Sequence, residues 1–280
     1  VSCLNNPVAV ALQNLIGGPL PGIPAAAAHC NALGLTQEGD DLLQQMMDRK
    51  LIIDIDHMSG IATDRMLFLA RQRGYPVVSG HTGFIDVSLG DRRHEGNKTG
   101  AQVDDIRGLC GVIAAILQQG HKDDTTQYGS RVPNDCSDSS KVFAQAYQYA
   151  LYRFGGAIAL GTDANGFVHM PSPRFNPTQP DPLGRRDACG KTLTCEGLAG
   201  CSQTGSVQYP FAAQVGPAKF DRASAGSRTF DYNFDGMAHY GLLPDFIEDL
   251  DNIGLNQGEL FHLFDSAEAY VSMWEYIDAG

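Results

Sequence analysis

Three short apolar runs in this chain each stop on a residue able to bind a metal, and that pattern restricts the fold more than any other feature. Leu51-Ile52-Ile53-Asp54-Ile55-Asp56 ends at His57, Pro76-Val77-Val78-Ser79-Gly80 ends at His81, and Ala157 to Leu160 leads through Gly161-Thr162 to Asp163. A run that is apolar along its length and polar at its last residues reads as a buried parallel strand whose C-terminal end opens into a site. A fourth run, Cys110 to Ile116, has the same apolar body without the polar ending.

Between the runs the period becomes helical. Thr36 caps a helix running to about Arg49, in which Leu42, Leu43, Met46 and Met47 recur at helical spacing. Ser59 or Thr63 starts a second helix carrying Met66, Leu67, Leu69 and Ala70. Gly74 stops it and Pro76 follows. Val142 to Phe154 is a third, with Phe143, Ala146, Tyr147 and Ala150 on one side. The order is helix, strand, helix, strand, connection, strand, helix, strand, and it predicts adjacent parallel strands joined by right-handed crossovers. Two helices close the chain, over about Pro244 to Ile253 and about Gln257 to Tyr276. In the last, Leu260, Leu263, Phe264, Ala267, Tyr270 and Val271 share a face, and Trp274 and Tyr276 are assigned to the core. Residues 1–34, rich in Gly, Pro and Ala, read as mostly irregular. Residues 164–229, rich in proline, read as an insertion over the site face of one domain spanning 1–280.

The 280 residues are enough to bury a large core. A formal charge of −12 repels phosphate backbones and argues against a nucleic-acid partner. No run approaches the 18 apolar residues of a membrane span. The chain starts at Val1 with no signal-peptide pattern, so its start reads as processed or truncated. Of the seven cysteines no two form a CxxC pair. Cys189, Cys195 and Cys201 lie in a stretch too poor in apolar residues to build much core, and such loops are often pinned by disulfides. That favours a secreted or periplasmic protein with at least one disulfide in this region. Reduced thiols in a cytosolic enzyme are the alternative.

In a parallel barrel all C-terminal strand ends share one face, so His57, His81 and Asp163 would converge there. Imidazole suits zinc and related ions, and a carboxylate beside it can take a proton from an attacking water. A lone histidine is usually structural; two at equivalent strand ends, with an aspartate at a third, point to a shared site.

Longer stretches around these residues resemble the membrane dipeptidases, a family of the amidohydrolase superfamily. Gly34-Leu35-Thr36-x-x-Gly39 followed by Leu51 to Ser59 is similar to that family's "GLTxxG" helix and "VDLSHVS". Val77-Val78-Ser79-Gly80-His81-Thr82 is similar to "PVIxSHS", and Gly161-Thr162-Asp163-Ala164-Asn165-Gly166 to "GxDFDG". Tyr240 to Phe246 and Leu263 to Tyr270 resemble the family's C-terminal helices. The resemblance implies the C-terminal half of a TIM (β/α)8 barrel of the metal-dependent hydrolase type, lacking its first strands. It implies His57 and His81 as ligands of zinc or another divalent metal, at the ends of the fifth and sixth strands. Asp163 would be the catalytic acid–base at the end of the eighth. His29-Cys30-Asn31 stands where the family has "THxxN", which makes His29 a candidate substrate contact beside its reading as a plain loop histidine.

Arg92, in Asp91-Arg92-Arg93-His94-Glu95, is a candidate for a substrate carboxylate, with a solvated loop as the plain reading. His169, on the loop after Asp163, is a candidate to face the site. Asp54 and Asp56 are read as bonding backbone amides, and His239 as a packing or hydrogen-bonding residue before a helix.

The chain also departs from the family. No His-x-His or His-x-Asp strand and no bridging carboxylate precede His57, and Asn165 replaces the second aspartate of "DFDG". A second metal ion would need ligands from an N-terminal segment or a second chain. The expected function is metal-dependent hydrolysis of an amide or peptide bond in a small, dipeptide-like substrate. The alternative is a barrel-derived binding or structural module without catalysis.

Overall fold

The computed structural model of the protein describes residues 33–88, 94–119, 128–133, 138–165, 170–175 and 205–280. Helix α1, Gln37–Asp48, starts at Thr36, whose side chain accepts from the Gly39 amide. Helix α2, Gly60–Arg73, starts at Ser59, which accepts from Ala62 N–H, and ends at Gly74 with φ 63°. Strand β1 is Val78–Thr82, helix α3 Gly100–Gly108, strand β2 Val112–Ile116, helix α4 Ser140–Phe154 and strand β3 Ala159–Gly161.

The sheet has the predicted order β1-β2-β3, and both pairings are parallel. The segment at Ile53–Ile55 extends it on the β1 side: Val78 N–H donates to Ile53 O (2.9 Å), and Ile55 N–H donates to Val78 O (2.8 Å). This is a single parallel bridge rather than the strand expected over 51–56. The ladder stops because Asp54 Oδ1 captures the Asp56 amide at 2.9 Å, a local side-chain bond that competes with pairing. Ile53 and Ile55 still face the core, at 2% and 0% exposure. Among the described residues the sheet is an open arc of these four parallel members.

Helix α3 answers to nothing in the sequence reading, which left 82–110 as a connection. It is short and largely polar. Its start is nevertheless written in Thr99-x-x-Gln102, where Thr99 Oγ1 accepts from Gln102 N–H and Gln102 Oε1 accepts from Thr99 N–H. Helix α4 begins earlier than expected, at Ser140, and is buried on almost every side.

Within the expected insertion, two short antiparallel pairs form: β4 Phe211–Ala212 with β5 Lys219–Phe220, and β6 Ser224–Ala225 with β7 Arg228–Thr229. Arg174 (6% side-chain exposure) pairs with Asp249 (2%) on helix α5, Leu243–Asn252, and the Ser140 hydroxyl also donates to that carboxylate.

The last predicted helix is two, α6 Gln257–Phe264 and α7 Ser266–Ala279, parted at Asp265. Lys50 Nζ donates to Asp278 O, and Ile158 N–H to His262 O, so α6 and α7 reach the N-terminal ends of the strands. Helix α7 turns Met273 and Ile277 inward. That leaves Trp274 (48% exposed) and Tyr276 (56%) outside the core to which the sequence assigned them. Tyr270 and Val271 lie outside with them, because helical period shows that a stripe exists but not which stripe meets the sheet.

Cys110, the cysteine among the described residues, is an exposed free thiol. The expected disulfide falls on Cys189, Cys195 and Cys201, outside the described residues. No helix among the described residues is long and apolar enough to cross a membrane.

Candidate metal-binding and catalytic site

His57 and His81 meet at the C-terminal end of the arc. Their Nε2 atoms lie 2.8 Å apart and the ring centroids 4.6 Å apart. Two features of the backbone aim them. His57 sits just past the bridge with φ 61°, a left-handed conformation that turns its side chain off the strand direction. His81 lies in an irregularity of the β1–β2 register between Ser79 and Thr82, where the Thr82 hydroxyl reaches back to Ser79 O (3.0 Å) and Ser79 Oγ (2.7 Å). Such bulges re-aim a side chain at a sheet edge.

Asp56 holds the second ring. Its Oδ2 accepts from the His81 amide at 2.6 Å and lies 3.2 Å from His81 Nδ1. Its Oδ1 accepts from Ser79 Oγ at 2.6 Å and stands 3.2 Å from Lys98 Nζ. Burial pushes the Asp56 carboxyl towards protonation. The Lys98 charge, the Ser79 hydroxyl and the His81 amide outweigh it and hold the group below the usual carboxylate range. A carboxylate 3.2 Å from His81 Nδ1 favours a proton on that nitrogen, the tautomer in which Nε2 presents its lone pair. Asp54 and Asp56 both do what the sequence reading gave them, Asp54 accepting the Asp56 amide and Asp56 that of His81.

Asp163 follows from β3 and has φ 43°. A Cβ built on Gly161 would run into Gly80 O and stand 2.9 Å from His81 Cα, so this glycine lets the end of β3 close on the end of β1. Asp163 lies two residues beyond this close approach. Asn165 Nδ2 donates to its Oδ1 (3.1 Å), and Asn165 N–H to its carbonyl (2.9 Å). Replacing Gly161 with Ala is expected to cost about 1–3 kcal/mol, because the obstructing atoms are backbone. It should also move His81. Urea denaturation followed with the metal affinity of the variant checks both; an unchanged midpoint would show that β1 and β3 part freely.

The donor set fits one ion in part. Two imidazole nitrogens on a tetrahedral zinc stand about 3.3 Å apart, so the pair needs to open by only a few tenths of an ångström. Among the described residues no group of three or more His, Cys, Asp and Glu side chains is arranged to hold a metal. An ion at this pair would need further ligands beyond the two imidazoles.

Of the other candidates, His29, Arg92 and His169 lie outside the described residues. His94 is half-buried and accepts from Gly96 N–H at 3.2 Å. His239 meets its expectation: Nδ1 accepts from Gly241 N–H (3.0 Å) and the ring packs edge-on against Phe230. A groove of about 410 Å³ between α4 and α6, lined by Tyr128, Tyr152 and His262 among others, shares no residue with the histidine pair.

No protein-family model matches this sequence, and no curated protein matches it. Solved structures do resemble it. A metallo peptidase from Rhodobacter sphaeroides, liganded with a phosphinate mimic of the dipeptide L-Ala-D-Ala, is 21% identical with a TM-score of 0.39. That match covers 49% of this chain and 36% of the other. An amidohydrolase from Pseudomonas aeruginosa is 13% identical with a TM-score of 0.49, over 96% of this chain and 67% of that one. The probable dipeptidase PvdM from Pseudomonas aeruginosa is 12% identical with a TM-score of 0.49, over 93% and 58%. The chain spans little more than a third of the length of the first of these. Its structural neighbours are thus metallopeptidases and amidohydrolases.

Proposed function

We propose that this chain carries part of the metal centre of a hydrolase that cleaves an amide or peptide bond in a small, dipeptide-like substrate. One observation carries the reading: the Nε2 atoms of His57 and His81 converge to 2.8 Å while a buried carboxylate occupies the far side of the His81 ring. Metal-ligating histidines are oriented in this way, with the second ring nitrogen given to a carboxylate. The substrate class comes from the motifs around His57, His81 and Asp163 that resemble the membrane dipeptidases.

His57 and His81 would hold a divalent cation, zinc being the ion these ligands suit best. Such an ion polarises the scissile carbonyl and lowers the pKa of a bound water. The protein's own residues do the rest. Asp56 keeps the His81 proton on Nδ1. In that tautomer His57 Nε2–H would be the donor to His81 Nε2, so ligation through both Nε2 atoms would require His57 to carry its proton on Nδ1 instead. Asn165 occupies Oδ1 of Asp163, which leaves Oδ2 to take the proton of the attacking water and return it to the departing amine. His29, Arg92 and His169 are the proposed substrate contacts, Arg92 for a carboxylate. A first-strand ligand pair from an N-terminal segment or a second chain would complete a two-ion centre.

Zinc titration tests the reading. Wild type titrated with zinc should bind it weakly, since a catalytic zinc takes about three protein ligands and this pair supplies two, and His57→Ala and His81→Ala should each bind measurably less. Equal zinc in wild type and His57→Ala would remove His57 from the centre and leave a binding module without catalysis.

A further inference from the structure

Lys98 is one of the most deeply buried side chains in the protein, at 1% exposure, and no sequence motif marks it. Its backbone is fixed beside the end of β1. Lys98 N–H donates to Gly83 O at 2.9 Å, and Lys98 O accepts from Ile85 N–H at 3.0 Å. From there the side chain runs inward, and Nζ meets Gly96 O at 3.1 Å, Ile55 O at 3.4 Å and Asp56 Oδ1 at 3.2 Å.

Burying an ammonium costs several kcal/mol, so it persists only where charge and hydrogen bonds compensate it. Carbonyl oxygens alone would serve a lysine that merely staples a loop. This one also meets a carboxylate, and the Asp56 side chain is itself only 5% exposed. The other oxygen of that carboxylate holds the amide of His81 and faces its Nδ1. Lys98 and Ser79 together occupy Oδ1, which leaves Oδ2 for His81.

We propose that Lys98 is a positioning residue of the histidine site, which pins Asp56 so that His81 keeps its proton on Nδ1 and offers Nε2 to a ligand. The inference rests on the metal-centre reading for its purpose but not for its geometry. Without the ammonium, the Asp56 carboxylate loses its buried counter-charge and can turn towards other donors. The His81 ring is then free to exchange tautomers. Outer partners of a ligating histidine typically carry about 10–100-fold in metal affinity. Lys98 acts one contact further out, so about a tenfold loss is expected.

The test uses the 280-residue chain freed of metal and labelled with 15N-histidine, the His81 signals being assigned with His81→Gln. Wild type should show one tautomer, protonated at Nδ1. Lys98→Met, and Lys98→Gln in case the first does not fold, should show averaged signals of both tautomers, as should Asp56→Asn. Zinc titration should give about tenfold weaker binding in the lysine variants. A wild-type His81 protonated at Nε2 would overturn the proposal without any variant, and so would a single Nδ1–H tautomer persisting in a folded Lys98 variant. If the tautomer shifts as expected but wild type binds no zinc, the positioning role stands and the metal-centre reading falls.

Discussion

Asp163→Asn should lower turnover of a small dipeptide by about 10²–10⁴, the usual contribution of a positioned acid–base group, while leaving bound metal unchanged. The substitution is a clean probe for two local reasons. Asparagine adopts left-handed backbone readily, so φ 43° is retained. The side chain has the same shape, so the contact with Asn165 at the Oδ1 position survives. What is lost is the capacity of the second atom to hold a proton. Steady-state hydrolysis across a dipeptide panel, with zinc content measured on the same samples, decides it. Activity within threefold of wild type would remove Asp163 from proton transfer. Joint loss of zinc and activity would make it a ligand instead.

The largest expected effect on stability lies elsewhere. Arg174→Met should destabilise the fold by about 3–5 kcal/mol, because removing one partner of a buried ion pair leaves the other uncompensated. Asp249 is 1% exposed, and Arg174 Nε reaches its Oδ2 at 3.0 Å. After the substitution the Ser140 hydroxyl would be the side-chain donor left to the carboxylate among the described residues. In a chain of this size such a loss corresponds to roughly 10 °C in melting temperature. The exposed pair Arg73–Asp48 supplies the comparison, with an expected cost below about 1 kcal/mol for Arg73→Ala. Adding Asp249→Leu to Arg174→Met should restore much of the stability, since the stranded charge goes with it. A melting shift under about 2 °C for the single variant would show that Ser140 suffices.

The parallel order of the sheet was legible because each of its members is a run of apolar residues ending at a recognisable turn. Caps were legible too: Thr36, Ser59 and Gly74 act as read, since capping depends on residues within one turn. Tertiary choices were not. The periodicity of 257–276 could not reveal the break at Asp265 or that Met273 and Ile277, rather than Trp274 and Tyr276, would meet the core. His57 and His81, which the structure brings together, were legible as polar residues at the ends of apolar runs, as was Asp163. Asp56 was seen only as a strand residue bonding amides, a role it has, because its reach to His81 Nδ1 depends on how β1 lies beside it. Lys98 gave no signal at all: it lies 42 residues from Asp56 in an unpatterned Gly-Asn-Lys-Thr stretch, and only the Phe84–Lys98 bridge brings it inward.

The left-handed backbone at His57 and Asp163 bears on how these positions drift over generations. Glycine is at ease in that conformation, and asparagine and aspartate tolerate it well, whereas most other side chains lose about 1–2 kcal/mol there. A mutation to glycine or asparagine at either position therefore meets little resistance from folding. Selection for a stable chain would not keep a histidine at 57 or an aspartate at 163; only selection on what the side chains do can. Copies of this gene relieved of their task should accumulate glycine and asparagine at these two places early, and lose their chemistry while keeping their shape.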